Sequence, residues 1–135
     1  MKPVLQQDLK YPRLWFAAGL LLAGLVAVMS LLPPADLPKV HVWDKAEHAG
    51  AYFLLAFWFG SVIFRRDLPG LVIALLIFGA AIEVAQGAMG LGRQADWHDL
   101  LADGIGALLG VLLVLTPLGH WPHWVENIFP GGRRT

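Results

Sequence analysis

The chain has 135 residues, 57% of them hydrophobic and 15% charged, with a mean hydropathy of +0.60 and a formal net charge of zero. This balance excludes an ordinary water-soluble domain and a basic nucleic-acid-binding surface. The absence of cysteine excludes disulfides, thiol catalysis and thiolate metal sites.

At this length there is room for one domain, 1–135, holding about four membrane spans of roughly 20 residues each. The first predicted span, 14–32, follows the charged flank of Lys2, Lys10 and Arg13. Its apolar core is longer than a cleavable signal core of about 7–15 residues, and Pro33-Pro34 follows it rather than a small-x-small site. It reads as a retained span, ended by prolines that cannot continue a helix. A loop over 33–42 leads to a second span, 43–64. Arg65, Arg66, Asp67 and Pro69 form a short turn into a third, 70–91. A short loop over 92–97 precedes the fourth, 99–118, and 119–135 reads as a tail whose Trp121, Trp124 and Phe129 suit the membrane interface. The predicted fold class is all-α: an integral membrane bundle of four antiparallel transmembrane helices, the simplest topology for such short connections.

Lysine and arginine orient the bundle. Lys2, Lys10, Arg13, Arg65, Arg66, Arg133 and Arg134 lie on the side of the N-terminus, and only Lys39, Lys45 and Arg93 on the other. The positive-inside rule places both termini in the cytoplasm. The acids mirror this. Asp8, Asp67 and Glu126 fall inside, whereas Asp36, Asp44, Glu47, Glu83, Asp96, Asp99 and Asp103 gather at the outer end. Ionisable groups in a bilayer cost several kcal/mol unless partnered, so this gathering is the candidate site.

Three helix faces carry it. Asp44, His48 and Tyr52 are spaced i, i+4, i+8 at the start of the second span, with Asp44 a candidate N-cap and Lys45 and Glu47 beside it. Glu83 and Gln86 share a face of the third, where Glu83, roughly 12 Å from the outer end, is the deepest ionisable residue. Small Gly79, Ala80 and Gly87 flank it. Asp96, Asp99 and Asp103 open the fourth span on a stripe that continues through Ala102, Gly106 and Gly110, a small-xxx-small pattern that predicts a close helix contact. One of Asp96 and Asp99 is expected to cap this helix. Arg93 is placed to pair with Asp96, Asp99 or Glu83, or with an anion of a ligand.

The ordered set Asp44-Lys45-x-x-His48, Glu83-x-x-Gln86, Arg93-x-x-Asp96-x-x-Asp99 and Gly106-x-x-x-Gly110 resembles the VanZ-like family of small bacterial membrane proteins. The resemblance runs from about residue 44 to 110. It implies a four-span fold in the bacterial cytoplasmic membrane, with a link to glycopeptide (teicoplanin-type) susceptibility. The chain departs from the family where an Asn is common four residues after the aspartate that opens the last span. Asp103 stands there, which makes proton sharing with Glu83 or Asp99 an expectation.

Several functions fit these residues. One is binding or modification of a cell-envelope lipid or lipid-linked peptidoglycan precursor. Glu83, His48 and Asp103 would then be candidates for acid–base work, with Glu83 and His48 as partners. Arg93 and Lys45 would clamp an anionic headgroup, with Gln86, Asp44, Asp96 and Asp99 lining the site. Another is a non-enzymatic protein whose buried polar cluster only locks the helices. A divalent-metal site on His48, Glu83, Asp99 and Asp103 is a further reading, and a proton-coupled transporter a weaker one, with no inverted repeat to support it. The leading expectation has no cofactor, and partners limited to membrane lipids and such a precursor, without nucleic acid.

Overall fold

A computed structural model of the chain describes residues 2–33, 35, 44–90 and 95–129. The described residues form helices α1 (Pro12–Leu31), α2 (Asp44–Gly60), α3 (Leu68–Met89), α4 (Trp97–Val114) and α5 (Trp121–Ile128), with 3-10 turns at Arg65–Asp67 and Pro117–His120. The only strand-like pairing among them is an isolated bridge between Leu5 and Ile63, so the all-helical expectation holds. Three helical segments are long and apolar enough to cross a membrane: Pro12–Leu31, Arg65–Met89 and Trp97–Val114. Their outward faces carry exposed Leu21, Leu25, Ile73, Ile77, Val84, Ile105 and Leu112. Water would reject so continuous an apolar surface, whereas lipid accepts it.

Helix α2 is not in that set. It has 17 residues and opens on Asp44, Lys45, Glu47 and His48. It is the inner helix of the bundle, supplying Tyr52, Leu55, Ala56 and Phe59 to a core completed by Leu75 of α3 and Ala107 of α4. The expected second span, 43–64, runs past its end at Gly60 because residues 61–64 turn. Ser61 Oγ donates to the Phe57 carbonyl, and the N-terminal segment pairs with the turn through Gln6 N–H to Val62 and Phe64 N–H to Val4. That pairing satisfies backbone groups that lipid could not. The fourth helix likewise ends at Val114 rather than 118, where the Thr116 hydroxyl accepts the Leu118 N–H and Pro117 starts a 3-10 turn. Helix α3 begins before 70, since Pro69 is tolerated in a first turn, and ends on Gly90 at φ 62°, a left-handed cap that favours glycine.

The tightest helix contact joins α2 and α4. A Cβ on Gly106 would collide with the carbonyl of Ala49, and one on Gly110 would lie 2.5 Å from the Phe53 carbonyl and 2.8 Å from the Ala56 Cβ. The small-residue stripe read from the sequence therefore sits backbone-on-backbone. Contacts rise together along the two helices, from Lys45 with Asp99 to Gly60 with Val114, so α2 and α4 run in the same sense. Helix α3 runs against α4: Leu76 meets Gly104, and Glu83 meets Asp96. Helix α1 packs Gly19 against Trp58 and Phe59, and its Ser30 carbonyl accepts from Gln86.

The expected interfacial tail is more structured than its composition implied. Trp121 packs against Trp15 at 5.1 Å and Trp58 at 4.9 Å between ring centroids, while Trp124 and Phe129 remain exposed. Five residues on from Trp121, buried Glu126 accepts the backbone N–H groups of Lys10 (2.7 Å) and Tyr11 (2.9 Å) and the Trp15 indole N–H (2.9 Å). This clasp joins the last helix to the entrance of the first.

Burial alone would raise the Glu126 carboxyl, but the N–H groups of Lys10, Trp15 and Tyr11 outweigh it and hold the group below the usual carboxylate range. A carboxylate depressed by folding stabilises the fold at pH values above its unfolded pKa, and that contribution disappears as pH falls through the lower folded value. Wild-type protein should therefore melt above Glu126→Gln at pH 7. The gap should close as pH drops below about 4, near the ordinary glutamate value. Thermal unfolding in detergent across that range measures it, and a gap independent of pH would contradict the assignment.

Candidate functional site

The polar residues of α2, α3 and α4 meet at the end of the bundle where α2 and α4 begin. Asp96 precedes α4 with extended backbone and accepts the His98 N–H through its side chain, so it is the cap of the expected pair, and Asp99 lies in the first turn. Asp44 is the first residue of α2, in its acidic first turn, and is mostly exposed. Because α2 and α4 run together at backbone contact, Lys45 and His48 face Asp99 and Asp103 across a narrow seam.

Lys45 Nζ bonds Asp96 Oδ2 at 2.8 Å, makes a close ion pair with Asp99 Oδ1, and lies 3.8 Å from Asp44. The lysine, followed by the His98 N–H, holds the Asp96 carboxyl well below the usual carboxylate range. His48 is wedged between two carboxylates: Nδ1 is 2.9 Å from Asp103 Oδ1 and Nε2 is 3.5 Å from Asp99 Oδ2. Asp103 is 1% exposed and Asp99 7%. Glycine makes room for this pair on the third side, where a Cβ on Gly79 would lie 2.7 Å from Asp103 Oδ2 and 3.2 Å from the Tyr52 hydroxyl. Tyr52, only 2% exposed, has no hydrogen-bond partner for that hydroxyl among the described residues.

Glu83, 7% exposed, reaches the same end by another route. Its Oε2 accepts the Asp96 backbone N–H at 2.8 Å, and Oε1 has no partner among the described residues. Glu83 therefore ties α3 to the entrance of α4, and the expected pairing of Glu83 with His48 is replaced by pairing of His48 with Asp103. Two further candidates contact other protein groups. Lys45, read as part of an anion clamp, is engaged by three carboxylates. Gln86, buried at 3% exposure, turns to α1 and donates to the Ser30 carbonyl at 2.8 Å. Arg93, the other half of the clamp, lies outside the described residues, as do the 33–42 loop apart from Pro33 and Ala35 and positions 92–94 of the next loop.

Asp44, His48 and Asp99 each offer a ligand atom within 4.8 Å of the others. That set differs from the expected His48, Glu83, Asp99 and Asp103, because Asp103 stands behind the imidazole and Glu83 faces a backbone N–H. Elsewhere, an apolar cavity of about 480 Å³ lies between α1, α2 and α3, lined by Phe16, Leu20, Phe59, Leu75 and Phe78 among others and by none of the cluster's residues. The signal for His48 with Asp103 was present in the spacing of each helix, but their facing depends on the rotation of α2 against α4. No family model matches the chain, and neither a curated protein nor a solved structure matches it.

Removing one member of a buried charged or hydrogen-bonded pair strands the other, at a cost of about 3 kcal/mol or more, whereas replacing both by apolar residues of similar size is far milder. Asp103→Ala should therefore destabilise the protein by roughly that amount, and His48→Phe with Asp103→Leu by clearly less than the sum of the single changes. Equilibrium unfolding in mixed detergent measures both. Additive effects would show that the two side chains are not coupled.

Proposed function

We propose that the chain is a VanZ-like protein of the bacterial cytoplasmic membrane. Its four main helices cross in alternating directions with both termini cytoplasmic, and its polar end binds the headgroup of a cell-envelope lipid or lipid-linked peptidoglycan precursor at the outer leaflet. The alternation is supported by the contact registers and the orientation by the seven-to-three lysine and arginine asymmetry. In this arrangement α2, too short and polar alone, crosses inside a ring made by the other three.

The observation that carries the functional reading is the imidazole of His48 set between Asp99 and Asp103 within an apolar bundle. Helix locking in lipid needs polar contacts, but it does not need an ionisable imidazole between two carboxylates. A histidine oriented by a buried carboxylate is instead an acid–base pair, able to bind a headgroup and to move a proton during its modification. Tyr52 and Glu83, each with an oxygen that has no partner among the described residues, add polar groups near this pair.

A second reading has its own support. Each bond of Lys45 with Asp96 and Asp99, and of His48 with Asp103, crosses from α2 to α4 or its cap, as a purely structural lock would require. A bacterial strain lacking the protein, complemented with each variant, separates the two through glycopeptide susceptibility and envelope-lipid profile. The headgroup reading predicts that His48→Gln and Glu83→Gln accumulate to normal levels yet fail to complement. Full complementation by both at normal levels would leave the structural lock.

A further inference from the structure

We propose that Asp44, His48 and Asp99 form a divalent-cation site at the polar end of the bundle, with Asp103 as the carboxylate that orients the histidine. The inference goes beyond headgroup binding and does not depend on it. Asp44 and His48 stand one turn apart on α2, and Asp99 comes from the first turn of α4. Their ligand atoms lie within 4.8 Å of one another, and His48 Nε2 is already 3.5 Å from Asp99 Oδ2. A metal with ligands at roughly 2.1 Å holds cis ligand atoms about 3 Å apart and trans ones about 4.2 Å, so the set must draw in by about 0.6 Å or more to take an ion.

The ring of His48 is prepared for this role. In the tautomer whose Nδ1–H donates to buried Asp103, 2.9 Å away, Nε2 is left with the lone pair, and it lies 3.5 Å from Asp99 Oδ2. A carboxylate behind a ligating imidazole is the usual outer-shell arrangement of a metal histidine. Glu83 gives an independent sign. The residue is 7% exposed, its Oε1 has no partner among the described residues, and Asp96, whose N–H its Oε2 accepts, also accepts from Lys45 beside the set. Charge points the same way: among the described residues this end carries Asp44, Glu47, Glu83, Asp96, Asp99 and Asp103 against Lys45. Lys45 partly compensates, contacting Asp44, Asp96 and Asp99 itself. Its ammonium occupies one oxygen of Asp99 and so competes with an ion for that ligand.

One imidazole with two carboxylates suits Mn²⁺, which accepts nitrogen more readily than Mg²⁺ while keeping oxygen ligands. A bound cation would also relieve the repulsion between these acids and an anionic headgroup. The test is Mn²⁺ titration of the full chain, purified in detergent and stripped with chelator, following loss of the free-ion six-line electron paramagnetic resonance signal. We expect one ion per chain. His48→Ala and Asp99→Asn should weaken binding at least 100-fold and Asp103→Asn by about 10–100-fold. Lys45→Gln should tighten it several-fold, and remote Asp8→Asn should change nothing. Asp44→Asn, at an exposed position, tests a ligand without disturbing packing and should weaken binding at least tenfold at an unchanged melting temperature. No stoichiometric binding by the wild type, or wild-type affinity in Asp44→Asn and His48→Ala, would overturn the proposal. Failed complementation by His48→Gln in a protein that never binds Mn²⁺ would remove this site and keep the headgroup reading. Metal binding lost in variants that still complement would do the reverse.

Discussion

The approach of α4 to α2 is the constraint on which the rest of the structure depends. Gly106 and Gly110 present bare backbone to the carbonyls of Ala49 and Phe53, and no side chain fits between them. In lipid there is no hydrophobic drive to join two helices, so close packing and polar contacts must supply the association. The glycines supply the first and, by drawing the helices together, also permit the second. Lys45 and His48 reach Asp96, Asp99 and Asp103 because the seam is narrow. A wider spacing would leave buried Asp103 with neither water nor a partner, which a low-dielectric interior penalises severely.

The polar end and the opposite end are stabilised by different physics. At the polar end, unlike charges and a shared histidine join α2, α3 and α4 through side chains. At the other, the clasp of Glu126 on the N–H groups of Lys10 and Tyr11 is capped by the Trp15, Trp58 and Trp121 rings. The aromatic cluster buries large apolar surface with polar edges, as suits the boundary between hydrocarbon and water. The bundle is thus tied at both ends, and the apolar middle is left to packing.

How far these features could be read from the sequence follows from the range of the interactions. The stripe Ala102, Gly106 and Gly110, the capping aspartate before α4 and the gathering of acids at one end are local patterns, visible in helical spacing. The partner of His48 was not visible, because several acids share its level and only the rotation of α2 against α4 selects Asp103 over Glu83. Gln86 was read with Glu83 because they stand one turn apart, yet a small angular difference turns its amide to Ser30 on α1. The Glu126 clasp joins residues more than a hundred positions apart, and nothing in the local composition of either segment signals it. The end of α2 was misplaced for the same reason: apolar residues 61–64 continue the hydropathy, but pairing with Leu5 and its neighbours turns the backbone.

Gly106→Ala tests the α2–α4 seam most directly, with a single methyl group. Gly70→Ala is the matched control, because a Cβ there meets nothing within 4 Å. Gly106→Ala should lower unfolding free energy in detergent by roughly 2–3 kcal/mol, within the range of overpacked sites, while Gly70→Ala should be neutral or stabilising. Equal stability of Gly106→Ala and the wild type would contradict the close contact and the polar site that depends on it.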